Sequence, residues 1–290
     1  MKPSVDKTVQ DLLNRFLGKL EEHFESDIFS YFGPVADGNE NTILKLIEEI
    51  ADEGKYKRLT IFLTTYGGSA LAVERFVNII RSLYKEIYFV VPDYAYSAGT
   101  IFCMSGDKIF MDYFSVLGPI DPQVQNKDGK WVPALGYLDK INELIDKAKK
   151  NELTNAEFLI LKDFDLAELR GYEQARELTF SLLKKWLVKY KFKNWKTHRS
   201  NKEKKGEKVT IAEKRERAEE IATKLSDNNL WKSHSRPINI ETLTNDIRLE
   251  IEDYSDEDEL RKDIRSYYDL LSDYVKRSQT TIFIHTRKFI

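Results

Sequence analysis

A single cysteine, Cys103, stands in a chain of 290 residues, so no internal disulfide and no cysteine-built metal site can form. That scarcity makes the cytoplasm the default compartment. No apolar run approaches the roughly 18 residues a membrane span needs, so no transmembrane segment is expected. Met1-Lys2-Pro3-Ser4-Val5-Asp6 lacks the apolar core of a secretory leader. No Gly-rich loop ends in Gly-Lys-Ser/Thr, so any ATPase would be a separate chain. Histidine is scarce too, four in all, which keeps the list of imidazole bases short.

Charge is plentiful but unevenly placed. The formal net charge is −2, yet residues 184–217 hold fourteen Lys/Arg against four Glu. Seven of the ten residues from Glu250 to Glu259 are acidic. Such polarity speaks to surface partners rather than to fold. In the basic stretch Trp186, Tyr190, Phe192 and Trp195 alternate with lysines. Nucleic acid, an anionic membrane surface or an acidic partner would suit that pattern. More often such a stretch is an amphipathic helix with buried rings and solvated lysines.

The hydrophobic pattern changes period along the chain. Residues 6–25 and 41–53 repeat apolar side chains at helical spacing. Between and after them come short apolar runs: Ile28–Phe32, Leu59–Thr64, Ile87–Val91 and Lys108–Met111. The uninterrupted run Ile87-Tyr88-Phe89-Val90-Val91 suits a strand buried on both faces, as in a parallel sheet covered by helices. A helix over 70–83 and a buried one over 98–105 complete a β–α–β–α–β order. This is an α/β fold with right-handed crossovers. From Pro133 the chain reads as mostly helical, over 134–149, 155–192, from Thr210 and over 256–277. A polar loop at 193–208 and a late strand at 280–284 interrupt it. The expected division is an N-terminal helix to 25, an α/β core over 26–135 and a helical region over 136–290.

Crevices in parallel sheets lie at the carboxyl ends of strands. Gly67-Gly68 and Ser97 both fall there, on consecutive βα loops. Acyl transfer needs a nucleophile, a base and donors aimed at the developing oxyanion. Ser97 opens a helix, and the next N–H, that of Ala98, points out of a helix N-terminus. Gly67-Gly68 offers a second donor from a backbone conformation that glycine adopts at little cost. Taken alone, Gly-Gly after a strand is more often a tight turn, and a serine opening a helix is more often an N-cap. Tyr66, Tyr94 and Tyr96 flank this approach, either lining a substrate cleft or packing.

Three segments carry a resemblance: Thr64-Thr65-Tyr66-Gly67-Gly68-Ser69, Val91 to Thr100 with Tyr96-Ser97-Ala98-Gly99, and Leu117-Gly118-Pro119-Ile120-Asp121-Pro122-Gln123. They resemble the serine dehydrogenase proteinase family of the ClpP/crotonase superfamily, related to the Clp proteolytic subunit and to signal peptide peptidase A. The likeness spans roughly residues 25–125. A weaker one follows at Leu230 to Ile238, around His234. It implies a ClpP-like spiral of βαβ units, a Ser97 nucleophile, oxyanion donors at Gly68 and Ala98, and a triad falling on Ser97, Asp121 and His234. It also implies an oligomer of identical chains and a peptide substrate, with no cofactor and no metal.

The residues by themselves leave the base open. His23 adjoins Phe24 on the first helix, His198 sits in the basic loop, and His285 alternates with Ile282 and Ile284 and reads as facing a sheet surface. His234 lies in a Ser/Arg/Pro-rich turn after Trp231, which suits a catalytic imidazole. Asp121 is bracketed by Pro119 and Pro122, which stiffen its segment. The rival is a Ser–Lys dyad as in signal peptide peptidase relatives, with Lys147, Lys149 or Lys150 as base. That cluster reads as a solvated helix end, and a basic lysine needs desolvation. The expected activity is an ATP-independent serine endopeptidase. Alternatives are a non-catalytic scaffold of the same fold and crotonase-type acyl chemistry, which needs no serine.

Overall fold

The β-branched and aromatic runs found in the sequence become the strands of one six-stranded sheet. The computed structural model describes residues 4–125, 129–198 and 203–288. In chain order the first half contains α1 (Ser4–Phe24), β1 (Asp27–Phe32), α2 (Glu40–Asp52), β2 (Arg58–Thr64) and α3 (Ala70–Leu83). It continues with β3 (Glu86–Val90), β4 (Tyr94–Ala95), α4 (Ala98–Cys103), β5 (Lys108–Met111) and β6 (Val116–Leu117). Next come β7 (Gln123–Gln125), β8 (Trp131–Pro133), α5 (Ala134–Lys149), α6 (Asn155–Lys162) and α7 (Leu166–Trp186). The chain ends with α8 (Ile211–Ser226), α9 (Asn228–Trp231), β9 (Glu252–Asp253), α10 (Asp258–Ser278) and β10 (Phe283–His285).

The sheet order is β10-β1-β2-β3-β5-β9. Every neighbouring pair is parallel except β1 with β10. The mostly parallel α/β sheet expected from the sequence is present. Alternation along β2 divides the core. Ile61 and Leu63 face a large cluster with α2, α3, α4 and α7, while Phe62 faces α1 and α10. Burial on both faces is why these strands read as continuous apolar runs.

Two features of the second half differ from the sequence reading. The single helix expected over 155–192 is broken at Asp163–Asp165. Asp165 caps α7 by accepting from the N–H groups of Ala167 and Glu168. His285, expected on a sheet surface, is fully buried. The side of β10 that it occupies is covered by α1 and α10, which the local alternation could not reveal. Its Nδ1 lies 2.8 Å from the Tyr267 hydroxyl and its Nε2 lies 2.9 Å from Asn14 Oδ1. Burial pushes its pKa down to about 3, so the ring is neutral.

The basic stretch turns its aromatics inward. Trp186 and Phe192 are buried, and Trp195 packs against the same core. Lys214 reaches the Phe192 carbonyl at 2.5 Å, and burial pushes Lys191 down to about 8. Of the loop at 193–208, residues 199–202 lie outside the described residues. No helix among the described residues is long and apolar enough to cross a membrane.

Candidate active site

Ser97 sits where the chain leaves β4 and enters α4. Its backbone has φ 53° and ψ −117°, a region that non-glycine residues rarely occupy. Such a conformation costs on the order of 1–3 kcal/mol and persists only where its surroundings enforce it. The enforcement is visible. Tyr96 N–H donates to the Thr65 carbonyl at 2.9 Å, Thr65 N–H to Tyr94 at 3.1 Å, and Gly99 N–H to Tyr96 at 2.8 Å. The Ser97 hydroxyl makes no capping bond to α4. The N-cap alternative is therefore not what holds this side chain.

The glycine loop lies directly against it. Gly67 has φ 108°, and a Cβ there would come within 2.8 Å of Ser97 Cβ. Gly68 has φ 139°, and its Cβ would lie 2.1 Å from the Val35 carbonyl oxygen. The loop is clamped by Val35, which donates to the Gly67 carbonyl and accepts from Ser69, both at 2.8 Å. The N–H of Gly67 is committed to Thr65 Oγ1 at 3.0 Å. Its contribution is thus close approach rather than a free donor. Among the described residues, the N–H groups of Gly68 and Ala98 take no acceptor from the chain.

The second half of the site comes from far along the chain. His234 Nδ1 lies 2.9 Å from Asp121 Oδ1. Asp121 is only 2% exposed, and its other oxygen accepts from Gln123 Nε2 at 2.9 Å. A buried carboxylate needs such partners. With Nδ1–H turned to the carboxylate, Nε2 is left as the proton acceptor. The His234 turn is fixed on both sides. Trp231 Nε1–H donates to the Lys224 carbonyl at 2.7 Å, and Ile238 exchanges backbone bonds with Leu117 at 2.9 and 3.0 Å. Ser97 and His234 make no direct hydrogen bond, a common condition without substrate.

Comparison with known proteins now bears on this arrangement. The family model of ClpP-like SDH-type serine proteinases matches residues 32–225. This chain belongs to that family. The match contains Ser97 and Asp121, while His234 lies beyond it. The uncharacterized protein MJ0137 of Methanocaldococcus jannaschii is 33% identical over 145 residues, covering 47% of this chain and 49% of its own. MJ1495 of the same organism is 30% identical over 126 residues, covering 43% and 38%. The chain thus spans half or less of the curated relatives it matches. Two solved structures of the 1510-N membrane-bound stomatin-specific protease are also similar. A serine-to-alanine mutant is 22% identical, with 47% of this chain and 69% of that one covered and a TM-score of 0.32. A lysine-to-alanine mutant in complex with a substrate peptide is 24% identical, covering 47% and 65%, also at 0.32.

The fold of this chain brings Tyr66, Tyr94 and Tyr96 together beside Ser97. Their ring centroids are 4.3 Å apart for Tyr66–Tyr94, 6.2 Å for Tyr66–Tyr96 and 5.8 Å for Tyr94–Tyr96. The lysines sit elsewhere, at the exposed C-terminal end of α5. Lys147 is paired with Glu157 at 2.6 Å and Glu143 at 3.3 Å, and Lys149 with Asp146 at 2.9 Å. The Glu157 partner raises the Lys147 pKa, opposite to the direction a general base requires. Lys150 is exposed.

One residue given no role on sequence grounds ties the two halves together. The hydroxyl of Thr100, on α4, lies 2.8 Å from the Ala95 carbonyl and 2.9 Å from the Gly118 carbonyl. It also accepts the Gly118 N–H at 3.0 Å. Ala95 leads to Ser97, and Gly118 leads to Asp121. Thr100 is fully buried, and in sequence it is one more small residue in a buried helix.

Proposed function

We propose that this chain hydrolyses peptide bonds through a Ser97 acyl-enzyme, with His234 as general base and Asp121 orienting it. The observation that carries the reading is the 2.9 Å approach of His234 Nδ1 to buried Asp121, from a turn far along the chain. A nearly dry carboxylate that orients a partly exposed imidazole, together with a serine in an enforced conformation, matches what nucleophilic catalysis needs. In this reading Nε2 takes the Ser97 hydroxyl proton as Oγ attacks the carbonyl carbon. The N–H groups of Gly68 and Ala98 receive the oxyanion. His234 then gives its proton to the leaving amine, and water repeats the sequence to release the acid. No nucleotide enters the chemistry. Assembly into a homo-oligomer and a cytoplasmic setting belong to the same proposal.

Fluorophosphonate labelling tests it. Wild-type protein should label at one site, mapped to Ser97 by peptide mass spectrometry. Ser97→Ala should abolish labelling, and His234→Ala should slow it by at least about 10³-fold. Folded wild-type protein that fails to label defeats the reading. Rapid labelling of His234→Ala would move the base to another group.

A further inference from the structure

Beyond β5 the chain makes a tight turn that holds two large aromatic side chains out of the core. Tyr113 is 68% exposed and Phe114 54% exposed. The turn beneath them is rigid. Asp112 is fully buried, and its Oδ1 accepts from Phe114 N–H at 3.0 Å, Ser115 N–H at 3.2 Å and the Ser115 hydroxyl at 3.0 Å. Arg265 grips the same carboxylate with bonds of 2.8 and 2.7 Å, and Arg261 Nε approaches it at 3.3 Å. The guanidinium carbons lie 4.6 Å from the Tyr113 ring centre and 5.0 Å from that of Phe114. Aromatic side chains fixed before a partner arrives lose little entropy on binding, which is the property of anchor residues.

The turn borders a cavity of about 430 Å³ that also takes in Asp93 and Tyr268. Part of the charge around it is already paired. Both arginines serve Asp112, and Asp93 accepts the Tyr268 hydroxyl at 2.8 Å. Beside those groups the wall offers a ligand the rings of Tyr113, Phe114 and Tyr268, with Asp269 and Lys276 also lining it. The cavity is continuous with the nucleophile's own segment. Asp93 precedes Ser97 by four residues, and its carbonyl accepts Val116 N–H at 2.8 Å. The parallel pair Tyr94↔Val116 and Ala95↔Leu117 then runs toward Ser97. The rings of Tyr66, Tyr94 and Tyr96 line that interval, Tyr66 being 74% exposed. At about 3.3 Å per extended residue the four residues from Asp93 to Ser97 span at most roughly 13 Å, the length of four residues of substrate.

We propose that Tyr113 and Phe114 form a distal subsite for a polypeptide substrate, joined to Ser97 by the Tyr66–Tyr94–Tyr96 track. It receives an apolar or aromatic side chain about four residues from the scissile bond. The inference rests on the peptidase reading for its orientation. It selects unfolded, apolar-rich segments over short peptides.

Binding to Ser97→Ala protein tests it without requiring turnover. The probe is a nested set of fluorescein-labelled peptides, four to twelve residues long, from an apolar-rich segment of denatured β-casein, read by fluorescence anisotropy. Affinity should step up by at least about tenfold as length passes four or five residues. The step should vanish in Ser97→Ala/Tyr113→Ala/Phe114→Ala and persist when Phe114 is replaced by Tyr. An affinity that grows smoothly with length, or a step that survives the alanine pair, overturns the proposal. Loss of the step together with a change in oligomer size by light scattering also overturns it, assigning the aromatics to contact between copies of this chain. Labelling of wild-type Ser97 is scored separately. A length step without labelling would defeat the peptidase reading and leave the subsite standing.

Discussion

Thr100→Val replaces one buried hydroxyl by a methyl of nearly the same shape. In the native site a single hydroxyl proton serves the Ala95 and Gly118 carbonyls, and a lone pair accepts the Gly118 N–H. Valine leaves that N–H without an acceptor and deprives the two carbonyls of their shared donor. An unsatisfied buried donor costs about 1–3 kcal/mol, and the lost hydrogen bond about 1 more. The total, about 2–4 kcal/mol, corresponds to a melting-temperature loss of roughly 4–8 °C in a chain of this size. Activity should fall further than stability, because the strand leading to Ser97 and the segment leading to Asp121 lose their common tie. A shift on the order of 1 Å at a reacting group can cost about 10²-fold. The assay is the second-order rate of fluorophosphonate labelling well below the melting transition, beside differential scanning fluorimetry. Thr100→Ser should recover most of the rate. Thr100→Val labelling at the wild-type rate refutes the positioning role. Thr100→Ser as slow as Thr100→Val would assign the effect to the methyl group's packing.

Gly68→Ala should slow labelling by at least about 10²-fold, the size of a lost oxyanion donor, since its Cβ would sit 2.1 Å from the Val35 carbonyl oxygen. An unaffected rate would remove Gly68 from the site. Lys147→Met, by contrast, should leave the labelling rate within about twofold of wild type, because that ammonium is held by Glu157 and Glu143 at an exposed helix end; a large loss would revive the lysine base. His285 gives a pH dependence. Its folded pKa lies far below its ordinary value, near 3, so the unfolded chain binds the proton first. Stability from this group is complete above about pH 6.5 and is lost as pH falls toward 3, at up to about 1.4 kcal/mol per unit. His285→Leu should be less stable at pH 7 yet show a flatter melting-temperature curve between pH 6.5 and 5. Parallel curves would contradict the buried neutral ring.

The strands Leu59–Thr64 and Ile87–Val91 were legible because burial on both faces leaves an uninterrupted apolar run. The neighbourhood of Gly67-Gly68 and Ser97 was legible for a topological reason. Consecutive βα loops of a parallel sheet emerge at one end. Other features gave no local signal. Thr100 is an ordinary helix residue until the Gly118 segment is laid against it. Whether Gly67 or Gly68 offers a free N–H depends on Thr65 Oγ1, which accepts from Gly67 at 3.0 Å. Val35, whose backbone clamps the glycine loop, lies in a segment with no catalytic pattern.

Local composition and period by themselves determined the helices and strands of the parallel α/β core and the strand-to-helix turn at Ser97, because these depend on contacts near in sequence; strand order then puts the glycine loop beside that turn. The residues by themselves left the histidine open and only the resemblance pointed to His234; tertiary structure brings that ring to Asp121 and buries His285 elsewhere. That choice depends on where the second half of the chain packs: the Leu117–Ile238 pairing carries His234 to the site, and α1 with α10 covers His285. No periodicity encodes a contact between residues more than a hundred positions apart, since it arises from burial of surfaces that exist only once the chain has folded.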